Sequence, residues 1–76
     1  MVSAICFINT ELGKEIKVRK EVSMFEGVKK VIELFGDFDL MVLIKADELR
    51  QINFIVDHIR KIDGVRNTKT YIEAEI

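Results

Sequence analysis

Six segments of the chain differ in the spacing of their apolar and polar residues, and each spacing predicts one element of secondary structure. Val2–Ile8 and Leu40–Ile44 are apolar at almost every position, as in strands that are covered on both faces. In two other segments, apolar residues recur every three or four positions, which predicts amphipathic helices. The apolar positions are Leu12, Ile16, Val18, Val22 and Phe25 in the first helix, and Leu49, Ile52, Ile55, Val56, Ile59 and Ile62 in the second.

Short polar residues precede both predicted helices. Asn9 and Thr10 stand before a helix expected over about Glu11–Met24, and Asp47 stands before the second. Side-chain oxygens at such positions accept hydrogen bonds from the free N–H groups of the first helical turn. These residues are therefore the predicted N-caps.

A glycine follows each helix, and a strand follows each glycine. Gly27 and Gly64 occupy the position of the left-handed residues that end helices. Val28–Phe35 and Val65–Glu75 are rich in strand-forming residues, and the second segment alternates in polarity. The predicted order of elements is therefore βαββαβ, with a hairpin between the second and third strands.

The two halves of the chain resemble each other at these glycines. Glu26–Lys29 and Asp63–Arg66 share the pattern acid-Gly-Val-base, 37 positions apart in a chain of 76. A half-length βαβ repeat is typical of the ferredoxin-like fold, in the α+β class. This fold has a four-stranded antiparallel sheet with both helices on one face, and right-handed crossovers place the first and third strands in its centre.

The face of the sheet away from the helices would be uncovered in a monomer. The two central strands are nevertheless apolar at both parities, with Ile5 and Phe7 on one of them and Met41 and Leu43 on the other. Small domains often complete their core by association. We therefore expect a homodimer packed sheet to sheet, as in dimeric α+β barrels.

Length and charge exclude several classes of protein. A chain of 76 residues has room for one small domain. Its 12 basic and 13 acidic residues give a net charge of −1, which disfavours direct binding of nucleic acid. No apolar run approaches the ~18 residues of a membrane-spanning helix. With a single cysteine, Cys6, and no export signal, a cytoplasmic protein without membrane contact is expected.

Residues suited to catalysis are scarce. The single histidine, His58, lies on the second predicted helix opposite its apolar side, with no nucleophile near it in the sequence. Cys6 lies in an apolar strand, where cysteine usually acts as a small buried side chain. The sequence has neither paired metal ligands nor a glycine-rich phosphate loop. We expect no catalytic residue, no metal and no cofactor.

Two polar groups remain as candidate binding residues. The first is the predicted hairpin turn, with residues Gly36, Asp37, Phe38 and Asp39. Two carboxylates there flank an aromatic ring beside a glycine. The second is Thr68 and Thr70, which share one face of the last strand with Arg66. Taken alone, the first group is better explained as an ordinary acidic turn, and the second as a pair of common strand residues.

Together these stretches resemble a known family. Gly36–Leu40 matches a Gly-x-aromatic-Asp hairpin, and Ile62–Thr70 matches a helix-Gly-Val-x-x-Thr-x-Thr ending. From about Val2 to Glu75 the chain thus resembles the effector-binding (RAM) domain of the Lrp/AsnC feast/famine transcription regulators. The resemblance implies the βαββαβ fold, sheet-packed dimers that form larger homo-oligomers, and amino-acid effectors bound where two dimers meet.

Carried over by position, the resemblance assigns the site. It places Gly36, Asp37, Phe38 and Asp39 on the loop side of the effector, with Thr68 and Thr70 as polar partners. Because the first strand is predicted to begin at Val2, we expect the family's helix-turn-helix domain to be absent. The chain therefore resembles stand-alone RAM proteins, and residues 1–76 are expected to form a single ligand-binding and oligomerisation domain without a DNA-binding domain. Asp63 stands where the family often has proline.

The chemistry of an amino acid fits these residues. Its ammonium needs acceptors, and Asp37 and Asp39 are a carboxylate pair in a glycine-containing turn. Its carboxylate needs donors, such as loop N–H groups and threonine hydroxyls. We therefore expect a non-enzymatic, amino-acid-sensing module.

Two alternatives remain open. The first is an assembly-only module that associates with itself or with full-length family members. The second is a small enzyme of the dimeric α+β barrel type, with His58 or the aspartates as base. Phe54, outside the apolar side of the second helix, is expected to face solvent or a partner in a larger assembly.

Overall fold

A computed structural model describes residues 1–73 and has the predicted order of elements. The strands are β1 (Val2–Thr10), β2 (Val28–Glu33), β3 (Leu40–Ala46) and β4 (Val65–Glu73), and the helices are α1 (Glu15–Ser23) and α2 (Leu49–Arg60). The predicted continuation of the last strand to Glu75 lies outside the described residues. The fold is the ferredoxin-like α+β fold that the sequence predicts.

The strands form one antiparallel sheet in the order β2-β3-β1-β4, which confirms that β1 and β3 are central. Cys6 lies opposite Val42 on one side and Thr70 on the other. At the far end of the same pairing, Ser3 lies opposite Glu73. The two ends of the described chain therefore lie side by side.

The core lies between the sheet and the two helices. Even-numbered residues of β1 and β3 face the helices, because successive side chains of a strand point to opposite faces. The largest fully buried side chains are Ile8, Leu40, Ile44, Ile52, Ile59, Val18, Val22, Val42 and Cys6. The apolar side predicted for α2 is thus largely confirmed, although Leu49 at its start is 47% exposed.

The first helix begins later than the sequence predicts. Thr10 is the last residue of β1 rather than an N-cap, because its N–H and hydroxyl both bind the side chain of Asp39. The chain then turns at Gly13, with φ of +85°, and α1 begins at Glu15. As a result Leu12 and Ile16 do not belong to the core; they are 99% and 58% exposed.

Two other boundaries also differ from the prediction. Glu48, not Asp47, is the N-cap residue of α2, and the side-chain Oε1 of Gln51 accepts the N–H groups of both at 3.0 and 2.8 Å. Strand β2 ends at Glu33, because the chain turns into the hairpin loop. Phe35, predicted to end this strand, is fully exposed in the loop.

The repeated acid-Gly-Val-base pattern forms two matching junctions between helix and strand. We call Phe25–Lys29 the Gly27 junction and Ile62–Arg66 the Gly64 junction. Their glycines have φ of +96° and +105°, a region that L side chains rarely adopt. The Gly27 carbonyl accepts the Lys45 N–H at 2.9 Å, and the Gly64 carbonyl accepts the Glu11 N–H at 2.7 Å. The internal repeat is therefore present in the structure.

Neither helix covers the second face of the sheet, which we call the outer face. Ile5, Phe7, Met41 and Leu43 lie at its centre and are only partly buried. Within residues 1–73, no helix is long and apolar enough to cross a membrane.

Candidate functional site

The hairpin loop between β2 and β3 comprises residues 34–39. Its ends are joined by a hydrogen bond from the Leu34 N–H to the Asp39 carbonyl at 2.9 Å. Gly36 is exposed, does not have a positive φ, and has open space where a side chain would begin. The fold of this chain therefore does not require glycine at position 36, and the loop surface there is accessible to another molecule.

Asp39 fixes this loop to the end of β1. Its Oδ2 accepts the N–H of Thr10 at 2.8 Å and the Thr10 hydroxyl at 3.1 Å, and its own N–H donates to the Ile8 carbonyl at 3.0 Å. Thr10 is 5% exposed, so these bonds satisfy polar groups that water barely reaches. The main interactions of the Asp39 side chain are therefore within the fold.

Asp37 is the free carboxylate of the loop. It is exposed, and none of the ion pairs found within residues 1–73 involves it. The two aspartates therefore differ in role: Asp39 holds the loop, and Asp37 is available to a ligand.

Phe38 packs on the outer face of the sheet. Its ring centroid lies 5.2 Å from that of Phe7, at an interplanar angle of 37°. Phe7 also meets Tyr71 edge-on, with centroids 6.0 Å apart. Three aromatic rings thus connect the hairpin loop to β4 across the outer face.

The two threonines lie on the opposite face of the sheet. Thr68 pairs with Ile8 and Thr70 with Cys6, so both share the face that the helices cover. The Thr68 hydroxyl accepts a hydrogen bond from Arg60 Nε at 3.0 Å. Burial raises the pKa of the Cys6 thiol, and a hydrogen bond with Thr70 lowers it in part.

The loop and Thr68 are close in the sheet but do not touch. Ile8 of β1 is flanked by Leu40, next to Asp39, on one side and by Thr68 on the other. Strands lie about 4.8 Å apart, so about 10 Å separates the two groups across β1. Both groups lie at one end of the sheet, and none of the hydrogen bonds within residues 1–73 joins them.

Sequence reasoning missed two residues at this end of the sheet. Thr10 was expected to cap a helix and instead anchors Asp39; no local signal predicts this bond, because its partners are 29 positions apart. Arg60 places a cation beside Thr68, eight positions away. Because Arg60 is so close in sequence to the start of β4, it could have been recognised as a candidate binding residue. Among residues 1–73, no three potential metal ligands lie together.

Comparison with known proteins identifies the class of domain. The sequence profile of the Lrp/AsnC ligand binding domain matches residues 3–75. A fold and a match of this extent define a regulatory effector-binding module, and the chain belongs to the Lrp/AsnC ligand-binding domain family.

Solved structures agree with this assignment. The hypothetical protein PHS023 from Pyrococcus horikoshii is 31% identical with a TM-score of 0.90, over 100% of this chain and 93% of that one. The protein FFRP-DM1 is 32% identical with a TM-score of 0.91, over 97% of this chain and 100% of that one. E. coli AsnC shares the fold, with a TM-score of 0.88 at 13% identity, over 99% of this chain and 52% of AsnC.

Part of an enzyme is also similar. Homocitrate synthase from Saccharolobus islandicus is 40% identical over 53 residues, which is 70% of this chain and 12% of the enzyme. The homocitrate synthase of Sulfolobus acidocaldarius is 36% identical over the same length. The chain thus spans about an eighth of the curated relatives that it matches.

Proposed function

We propose that this chain is an amino-acid-sensing and oligomerisation module that acts in transcriptional regulation. The observation that carries the proposal is Asp37, a free carboxylate in a loop that Asp39 holds in place, within a family defined by ligand binding. In this proposal residues 1–76 form one domain, and it works in the cytoplasm, where transcription regulators meet DNA.

The site we propose needs more than one subunit. In a single chain, the hairpin loop and the threonines lie on the two sides of β1. An amino acid spans less than the roughly 10 Å between them, so the loop of one subunit would bind the ammonium through Asp37. Thr68 and Thr70 of another subunit, with Arg60 beside them, would bind the carboxylate. Charged hydrogen bonds of this kind contribute about 1.5–3 kcal/mol each.

Dimerisation through the outer face would be the first step of the assembly, and the proposed site would form where two such dimers meet. Ile5, Phe7, Met41 and Leu43 form an apolar surface that neither helix covers, and burying it in a second copy would stabilise both chains. A ligand that contacts two subunits then favours the assembly that contains it. Ligand concentration would thereby set the oligomeric state.

We also propose that this domain neither contacts DNA nor catalyses a reaction. Its net charge of −1 gives no electrostatic attraction to phosphates. Similarity to a small part of homocitrate synthases supports a domain that is joined to different functional units. Its partners would be an amino-acid effector, further copies of this chain and full-length Lrp/AsnC regulators.

Calorimetric titration with each standard amino acid tests the proposal. The expected result is saturable binding of one or a few amino acids, weakened by about one to two powers of ten in Asp37→Ala and retained in Asp57→Ala on the exposed side of α2. Sedimentation in the presence of the bound amino acid should then show a larger assembly. Absence of heat with every amino acid would contradict sensing.

The second candidate is assembly without a ligand, alone or with full-length regulators. It is favoured by the same outer face and by Phe54, whose predicted exposure is confirmed at 63%. Ligand-independent oligomers whose sedimentation is unchanged by any amino acid would support it.

A further inference from the structure

The Gly27 and Gly64 junctions have the same backbone structure. In each, the N–H of the valine donates to the carbonyl three residues earlier, at 3.1 Å for both Val28 and Val65. At Gly27, an added Cβ would lie 2.8 Å from Ile55 Cδ1 on α2. At Gly64, an added Cβ would lie 3.0 Å from Val18 Cγ2 on α1. The two junctions are therefore comparable position by position.

The same shift of 37 positions relates the residues around them. It relates Gly27 to Gly64 and Val18 to Ile55. On the helices it pairs Lys14 with Gln51, Lys17 with Phe54, and Glu21 with His58. On the junctions it pairs Glu26 with Asp63. Similar backbones thus carry different side chains.

Two ammonium groups close the Gly64 junction. Lys14 Nζ lies 3.0 Å from Asp63 Oδ2, and Lys17 Nζ donates to the Asp63 carbonyl at 2.8 Å. Lys17 also pairs with Glu21 at 3.0 Å. An acidic side chain and the carbonyl of the same residue here receive alkylammonium groups from the neighbouring helix.

The Gly27 junction lacks these cations. Gln51 caps the start of α2, and the Phe54 ring lies against the His58 ring with centroids 4.1 Å apart. Among the interactions within residues 1–73, neither the carboxylate nor the carbonyl of Glu26 has a donor. Glu26 is the counterpart of Asp63 without its lysines.

An open groove of about 710 Å³ lies at this junction. Glu26, Gly27 and Phe54 line it, together with the cationic residues Lys29, Lys45 and Arg50. Its volume is within the range of about 300–1,000 Å³ that is typical of small-molecule sites. Gln51 and Phe54 stand in place of the two lysines at this junction, and the space beside Glu26 is open.

We propose that this groove binds a small ω-amino carboxylate, with its ammonium on Glu26 and its carboxylate near the rim cations. Asp63, with Lys14 and Lys17, is the template within the same chain for the ammonium contacts. Phe54, exposed at 63%, adds an aromatic face suited to a cation. The groove lies at the last residues of β3, Lys45 and Ala46. The hairpin loop lies at the other end of this strand, about 20 Å away, so the two proposed sites are independent.

An NMR titration of uniformly ¹⁵N-labelled protein with 6-aminohexanoate tests the proposal. We expect the changes in amide chemical shift to concentrate at Gly27, Phe54 and His58. Hexanoate and n-butylamine should each bind at least about tenfold more weakly than 6-aminohexanoate. Shifts spread over the whole surface, or equal binding of hexanoate, would overturn it.

Two acid-to-amide variants locate the ammonium. Glu26→Gln should weaken binding of 6-aminohexanoate by about tenfold or more. Asp63→Asn makes the same change at the closed junction and should leave the affinity within about twofold of the unaltered protein. Equal affinities of the unaltered protein and Glu26→Gln would contradict the proposed role of Glu26.

A lysine introduced on α2 should place its own ammonium beside Glu26, where the ligand's ammonium would bind. Phe54→Lys places an ammonium at the position equivalent to Lys17 and should reduce binding of the added ligand by about tenfold or more. Asn53→Lys adds the same charge at the neighbouring exposed position, outside the groove lining, and should leave binding nearly unchanged. Equal losses in both variants would indicate a general charge effect and overturn the proposal.

The ammonium in the groove has a second potential source, a lysine of another copy of this chain. If a lysine of another copy binds there, dilution alone would move the Gly27 and Phe54 amide signals, and n-butylamine would dissociate oligomers. These results would overturn the proposal of a small-molecule site. Asp37→Ala separates the two proposals, since it should weaken effector binding at the hairpin by about one to two powers of ten and leave the groove titration unchanged.

Discussion

Asp39 and Thr10 form a two-point connection, in which one carboxylate oxygen accepts both the N–H and the hydroxyl of the threonine, at 2.8 and 3.1 Å. The bond joins the end of β1 to the start of β3. It extends β1 by two residues past its apolar run and holds the base of the hairpin loop. The proposed ligand group, Asp37, is therefore carried on a fixed support.

The first prediction concerns this connection. Asp39→Ala leaves two poorly hydrated donors of Thr10 without a partner and should lower the free energy of unfolding by about 1–3 kcal/mol. Urea denaturation measures the change. Asp37→Ala, two positions away and exposed, is the matched control and should stay within about 0.5 kcal/mol of the unaltered protein. Equal stabilities of the two variants would contradict a structural role for Asp39.

The second prediction concerns the proposed effector site. Asp37→Ala should weaken effector binding by about one to two powers of ten, because it removes a hydrogen bond to a charged group. Thr70→Val keeps the shape of the side chain and deletes its hydroxyl. It should lower the affinity for the effector and change the melting temperature little. Calorimetry on both variants is the measurement. Unchanged affinity in both would exclude these positions from the site.

The third prediction concerns the outer face. Leu43→Glu should convert the proposed dimer to monomers or aggregates, since burying an unpaired charge there would be costly. Leu12→Glu, at a side chain that is 99% exposed, makes the same substitution away from the sheet and should leave the mass unchanged. Light scattering distinguishes the outcomes. A monomeric unaltered protein at micromolar concentration would refute the proposed dimer.

The fourth prediction concerns pH. The hydrogen bond and charge interaction between Lys14 and Asp63 lower the pKa of Asp63 and raise the pKa of Lys14. The stabilising contribution of Asp63 is therefore present above its ordinary pKa of 3.8 and is lost as the pH falls below that value, through the lowered pKa of the folded protein. The contribution of Lys14 is present below about pH 10.4 and is lost at higher pH.

Melting temperatures of Asp63→Asn and the unaltered protein test this dependence. The difference between them should be small, because both side chains are exposed. It should be present at pH 7 and should disappear as the pH falls below 3.8 and Asp63 takes up a proton. If the difference in melting temperature does not change with pH, its cause is not this ion pair.

The fifth prediction concerns the junction glycines. Gly27→Ala should lower the free energy of unfolding by about 1–3 kcal/mol, because φ is positive there and the new Cβ would lie 2.8 Å from Ile55. Gly36→Ala, which has neither constraint, should be nearly neutral in stability. Chemical denaturation measures both variants. If Gly36→Ala instead abolishes effector binding, the open loop surface at Gly36 is used by the ligand.

The half-length repeat and the right-handed crossover rule predicted the sheet order, and the spacing of apolar residues predicted the core side of α2. Residues such as Ile52 and Ile59 are buried because the spacing of three and four places them on one side of a helix. The start of α1 was mispredicted, because a hydrogen bond between distant residues keeps Thr10 in β1. A local capping pattern carries no information about such a partner.

The candidate site was only partly predictable for the same reason. Sequence patterns indicated the loop and the two threonines, but not that Thr68 and Phe38 lie on opposite faces of the sheet. That placement depends on the register of β4 against β1. Nor could local sequence show that one aspartate of the loop binds within the fold while the other stays free.

The pairing of Ser3 with Glu73 has a consequence for fusion proteins. Chain segments attached before β1 or after β4 would leave the domain from one corner. That corner is about 20 Å from the end of β1 that supports the hairpin loop. A domain attached at either end, whether it binds an operator or catalyses a biosynthetic reaction, would therefore be joined at a point distant from the hairpin loop.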